Sequence, residues 1–116
     1  MTQAGPIPSL TAVDAEERLR ASGDDAPVLV DVRERNEWDA VRIPGAVHVP
    51  LSAIAERYAE LPQGRPLLLQ CASGKRSLVA ADFLRRNGYP DVTNMSDGIV
   101  GWQKAGLPVE RGDDED

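Results

Sequence analysis

The chain reads as an α/β domain, a parallel sheet with helices on both of its faces. Three observations point there. Strand-like runs alternate with helical stretches along 116 residues, and that alternation implies right-handed crossovers onto one parallel sheet. Val28-Leu29-Val30-Asp31-Val32 and Pro66-Leu67-Leu68-Leu69-Gln70 are nearly continuous apolar runs, as expected of strands covered on both sides. The apolar fraction of 41% and charged fraction of 28% are those of a soluble globular protein of single-domain size.

Taken in order, residues 1–9 carry Pro6 and Pro8 and read as an extended segment, with Ile7 available for a short edge strand. Thr11 is placed to cap a helix running to about Ser22, with Leu10 and Ala15 as a hydrophobic staple and Gly23 as its end. After the turn at Asp24-Asp25-Ala26-Pro27 comes the first central strand, 28–32. Asp31 interrupts its apolar run and shares a face with Arg33 two residues on. A carboxylate near a strand end is costly to bury alone, so Asp31 is expected to be paired or bonded to loop amides. Residues 34–40 read as a short helix bearing Trp38, Arg42 to Ala46 as a turn, and Val47-His48-Val49 as a short strand. Ser52 is placed to cap a helix whose Ile54, Tyr58 and Leu61 recur at i, i+4 and i+7. The second central strand follows, and then a helix through Arg86 in which Val79 pairs with Phe83 and Ala80 with Leu84. Gly88 and Pro90 stop it. Asp91 to Met95 reads as the last strand, Ser96-Asp97-Gly98 as a loop, and Ile99 to Ala105 as a short helix with Trp102. Residues 106–109 are an extended coda. The folded domain is thus expected over 10–110, with 111–116 an acidic, disordered tail.

Charge and residue counts narrow the chemistry. A net charge of −6 disfavours nucleic acid and anionic membrane as partners. No run approaches the roughly 18 apolar residues of a membrane span, and no basic, apolar leader opens the chain, so a cytoplasmic protein is expected. One cysteine excludes an intrachain disulfide and a multi-cysteine metal site, and one histidine excludes a multi-histidine site. The expectation is therefore no metal and no cofactor, with His48 a satisfied structural histidine.

That leaves Cys71-Ala72-Ser73-Gly74-Lys75-Arg76. The cysteine sits at the carboxyl end of a strand, on a tight loop entering a helix, where open α/β sheets bind ligands. Unpaired amides of the first helical turn, the helix dipole and a glycine-bearing loop all favour an anion there. Lys75 and Arg76 add two cations. Such surroundings lower a thiol from about 8.5 to roughly 3.5–7.5, and the thiolate is the nucleophile.

Four segments together resemble single-domain rhodaneses, in the family's order: Leu29-Val30-Asp31-Val32-Arg33; Glu37-Trp38 through Ile43-Pro44-Gly45-Ala46; Cys71 through Ser77; and Asp97-Gly98-Ile99 with Trp102. They cover nearly everything from Thr11 to Val109. The sequence departs from common family usage at Val41-Arg42 (often Gly-His), Ala72 (often Arg) and Asp97-Gly98 (often Gly-Gly). The resemblance implies a three-layer sandwich around a five-stranded parallel sheet, and a sulfurtransferase that carries sulfane sulfur as a persulfide on Cys71.

On this reading Cys71 is catalytic, Ala72, Ser73, Gly74, Lys75 and Arg76 bind the substrate, and Asp31, Arg33 and Ser77 support them. Lys75 and Arg76 attract a small anionic sulfur donor, thiosulfate before mercaptopyruvate, although either could instead be a solvated charge or brace a carboxylate. The acceptor is cyanide or a thiol, free or on a protein. With no second cysteine, an internal disulfide relay is ruled out. Competing readings are a low-activity persulfide carrier or interaction module, and a cysteine phosphatase or arsenate reductase. Only four residues separate Cys71 from Arg76, one fewer than those oxyanion loops need.

Overall fold

The computed structural model describes residues 5–112. Five strands form the central sheet: β1 (Ser9–Leu10), β2 (Val28–Asp31), β4 (Val47–His48), β5 (Leu67–Gln70) and β6 (Val92–Met95). All neighbours run parallel, in the order β1-β6-β5-β2-β4. The two apolar runs, β5 and β2, are side by side at the centre, where both of their faces are covered. Five α-helices accompany them: α1 (Ala12–Leu19), α2 (Arg35–Ala40), α3 (Ile54–Arg57), α4 (Lys75–Arg86) and α5 (Gly98–Lys104).

Alternation along the strands divides the core in two. Val30, Leu67, Leu69, Cys71 and Val92 face one side with Ile54, Leu61, Ala80, Ala81 and Leu84. Leu29, Leu68 and Met95 face the other with Ala12, Ala15, Ile99 and Trp102. The sheet is therefore the middle layer of three, with α3 and α4 on one face and α1 and α5 on the other. Cys71 belongs to the α4 face and lies just past the carboxyl end of β5.

Several boundaries differ from the sequence expectation. Thr11 does cap α1, its Oγ1 accepting from the Asp14 amide at 3.3 Å, but the helix ends at Leu19. The next amides, of Arg20 and Ala21, bond three residues back rather than four, so the chain tightens before reaching Gly23. The edge strand is Ser9–Leu10, beside Asn94–Met95, and not at Ile7. Ser52 caps nothing. Its hydroxyl donates to Glu34 Oε1 at 2.6 Å, and the expected helix is a 3₁₀ turn, one α-turn and another 3₁₀ turn. In α4, Val79 is 58% exposed. Ala80, Ala81 and Leu84 form its buried stripe instead.

Two short strands lay outside the expectation. β3 (Val41–Arg42) pairs antiparallel with β7 (Glu110–Arg111), so Arg111 is paired in a strand. The rest of the anticipated acidic tail, 113–116, lies outside the described residues. Trp102 Nε1 donates to the Pro108 carbonyl at 2.7 Å, fastening the coda to α5.

Candidate active site

The loop between β5 and α4 folds around the sulfur. Gly74 N donates to Cys71 Sγ at 3.2 Å, Ser77 N at 3.4 Å, and Ser77 Oγ approaches at 3.3 Å. Residues 71 to 77 close this ring because Gly74 takes φ +93° as the N-cap of α4, which turns its amide back onto the sulfur. A side chain at Gly74 would also place Cβ 2.3 Å from the Ser96 carbonyl. The other wall is α5, whose Ile99 and Val100 amides donate to the Cys71 and Ala72 carbonyls at 2.9 and 3.1 Å. Gly98 makes that approach feasible, since a Cβ there would meet the Cys71 carbonyl at 2.3 Å.

Cys71 is 1% exposed. Burial pushes its thiol up, but bonds from the Ser77 hydroxyl and amide and from the Ser73 and Gly74 amides outweigh burial, leaving it below the ordinary value. Directed donors therefore favour a thiolate against desolvation. The amides of Ala72, Lys75 and Arg76, grouped with them in the sequence reading, are not among the groups bonded to Sγ.

The two cations are placed differently. Lys75 is exposed at the start of α4. Arg76 makes a two-pronged pair with Glu37 of α2, Nη1 to Oε1 at 2.7 Å and Nη2 to Oε2 at 2.9 Å. Of the roles weighed for Arg76, bracing a carboxylate is the one this geometry matches. The pair holds Glu37 down to about 2, from an ordinary 4.5, with the Glu34 amide at 2.9 Å assisting against partial burial. The same contact, stronger than the cost of burial, raises Arg76.

One prediction follows from the sign of that shift. A carboxylate with a depressed folded value adds stability above its ordinary range and loses it as pH falls through the folded value. Both side chains are about a third exposed, which keeps the effect modest, about 1 kcal/mol. Urea midpoints of the native protein and Glu37→Gln should therefore differ by a constant amount at neutral pH and converge as pH falls from 4.5 toward 2. A gap independent of pH in that window would mean that the pair adds nothing.

Asp31 and Arg33 are a buried brace whose hydrogen bonds go to each other and to α2 and its C-cap. Asp31 Oδ1 accepts from the Arg33 amide at 2.9 Å, and Arg33 Nη2 reaches Oδ2 at 2.8 Å. The guanidinium also donates to the Val41 carbonyl at 2.6 Å and the Glu37 carbonyl at 3.4 Å, fixing the middle and the C-terminal end of α2. His48 Nε2 donates to the Arg33 carbonyl at 2.7 Å, and its ring stacks on Trp38 at 4.7 Å. It is a structural residue.

Sequence reasoning missed two site residues. Glu37 stands in the sequence only as part of the Glu37-Trp38 motif, with nothing local to announce its pairing with Arg76. Asn94 reads in the sequence only as part of a strand, yet its Oδ1 accepts from Ser77 Oγ at 2.6 Å and its Nδ2 donates to the Gly74 carbonyl at 3.1 Å. An amide side chain in the strand run between Val92 and Met95 is the signal that the sequence offers.

A buried strand-end cysteine, ringed by amide donors at the start of a helix on a parallel sheet, defines the class: an α/β protein with a thiol at the ligand-binding edge of its sheet. The comparisons make that class specific. The rhodanese-like domain matches residues 12–105, and the chain belongs to that family. It is 36% identical over 98 residues to a sulfurtransferase of Allochromatium vinosum, covering 84% of this chain and 92% of that protein. It is 37% identical over 103 residues to an HTH-type transcriptional regulator of Mycobacterium tuberculosis, covering 87% of this chain but 45% of the regulator. The crystal structure of a rhodanese-related protein from Thermoplasma volcanium superposes with a TM-score of 0.79 at 29% identity, covering 89% of this chain and 97% of that one. No helix among the described residues is long and apolar enough to cross a membrane.

Proposed function

We propose that the protein moves sulfane sulfur from thiosulfate to a thiophilic acceptor through a persulfide on Cys71. The observation that carries this reading is the ring of donors on a buried sulfur, from Gly74 N, Ser77 N and Ser77 Oγ. The thiolate attacks the outer sulfur of thiosulfate. A new S–S bond forms, the old one breaks, and its electron pair leaves on sulfite. Cyanide or a thiol then attacks the outer sulfur, and the Cys71 thiolate departs. The donors around Sγ favour the thiolate in place of a general base, and the two steps give ping-pong kinetics. Fixed amides stabilise charge on sulfur without reorganising.

Lys75 is the cation available to steer an anionic donor, Arg76 being held by Glu37. A phosphatase or arsenate reductase reading is weaker for the same reason, since both guanidinium prongs are committed. A second reading, a slow carrier that hands sulfur to one protein partner, is favoured by the 1% exposure of Cys71, which limits the access of free acceptors to its sulfur. A cytoplasmic setting belongs to the proposal too.

Incubation with thiosulfate should raise the intact mass by one sulfur, and cyanide should return it to the starting value with release of thiocyanate. No mass gain would overturn the proposal. Gain without rapid turnover on any small acceptor would favour the carrier reading.

A further inference from the structure

The Ser77 hydroxyl carries a single proton and has two acceptors in reach. Asn94 Oδ1 is 2.6 Å away and Cys71 Sγ 3.3 Å away. The orientation of the Asn94 amide is decided by Gly74, whose carbonyl takes the Nδ2 proton at 3.1 Å. Turning the amide over would set Oδ1 against that carbonyl, two acceptors in contact, so Oδ1 faces Ser77. All three groups are buried, where an unmade hydrogen bond is costly.

When the sulfur is neutral, it is a weak acceptor, and the hydroxyl proton belongs to Asn94. When Sγ is anionic, it becomes the stronger acceptor. From this we infer that Asn94 is a positioning residue, parking the Ser77 proton while Sγ is neutral and yielding it when Sγ carries charge. The inference deepens the persulfide reading and rests on it for its use in turnover. Charge moves to the outer sulfur once the persulfide forms, so the proton returns to Asn94. As the acceptor pulls the outer sulfur away, the electron pair collapses onto Sγ and the hydroxyl rotates to meet it. The same proton thus serves the nucleophile in the first step and the leaving group in the second. No atom is gained or lost, and no bond other than hydrogen bonds changes at Ser77.

Asn94 also competes for the proton, and this makes the inference testable in the free enzyme. Among charged groups, Arg76 of α4 interacts with Cys71 and is itself held by Glu37 of α2. Asn94 of β6 and Gly98 and Ile99 of α5, which pack on the loop, are uncharged. Removing the Asn94 acceptor should therefore release the hydroxyl to sulfur and favour the thiolate. The test is the pH dependence of Cys71 alkylation by iodoacetamide, with no sulfur donor present, so its outcome does not depend on whether the protein is a sulfurtransferase.

Asn94→Ala and Asn94→Leu should each lower the alkylation midpoint by roughly half to one pH unit. Ser77→Ala should raise it, and in that background the Asn94 substitutions should have no effect. The leucine variant fills the space that alanine leaves, so a collapsed cavity would separate the two. An unchanged or raised midpoint in both Asn94 variants overturns the inference. So does a downward shift that persists without Ser77, because the coupling must pass through that hydroxyl.

Discussion

Cys71→Ser should abolish sulfur loading and lower thiosulfate-dependent turnover by about 10⁴-fold or more, to the background of the assay. The replacement is conservative in shape, so the result isolates chemistry from fold. The Gly74 and Ser77 amides still have an acceptor in the serine oxygen, and melting temperature should stay close to native. What is lost is the anion. A serine hydroxyl is ionised negligibly at neutral pH, and these donors cannot lower it far enough to supply an alkoxide. A persulfide also needs sulfur as the atom attacked and as the atom that leaves. The chain holds one cysteine, so no second thiol can take the label. A Cys71→Ser protein that still gained one sulfur in mass on incubation with thiosulfate would remove Cys71 from the proposed role.

The sequence was most informative where one residue type decides its own environment. The apolar runs at 28–32 and 66–70 read as buried strands, and they hold β2 and β5, with Cys71 just past the end of the latter. Asp31 was legible as a residue needing a partner because a lone buried carboxylate is untenable, and its partner was two residues away on the same face. Local periodicity failed where a distant residue outbid it. Ser52 had the spacing of a cap, but Glu34 of the α2 entry turn claims its hydroxyl. Arg76 had the position of a free substrate cation, but Glu37, 39 residues earlier, neutralises it through a contact that no spacing announces. Two-residue strands such as β3 and β7 have no period at all. They exist because the coda is fastened by Trp102 and returned across Arg42.

This arrangement changes what the loop offers a substrate. Two fixed cations beside the sulfur would suit a dianion on charge alone. With Arg76 paired, the proposed donor would meet directed amides and one exposed lysine. Glu37 therefore links the outer wall of the site to its interior. It is held from outside by Arg76 and from below by the Arg33 guanidinium, which bonds its carbonyl at 3.4 Å.

That dependence makes Asp31→Ala a strongly destabilising substitution. Asp31 is wholly buried and Arg33 is 3% exposed. Removing the carboxylate leaves a guanidinium away from water with only the Val41 and Glu37 carbonyls as partners, and leaves the Arg33 amide unpaired. Breaking a buried pair from one side costs about 3–5 kcal/mol, a large part of the roughly 5–15 kcal/mol that holds a typical domain together. Urea denaturation should show that loss, with melting lowered by about 10 °C or more. Activity should fall with it, because Arg33 fastens the middle and the C-terminal end of α2 and α2 aims Glu37 at Arg76. Asp31→Leu combined with Arg33→Met should recover most of the lost stability, since replacing both ends by apolar groups removes the stranded charge. A loss below about 1 kcal/mol in Asp31→Ala, the range of an exposed pair, would show that the brace is not what holds this side of the site.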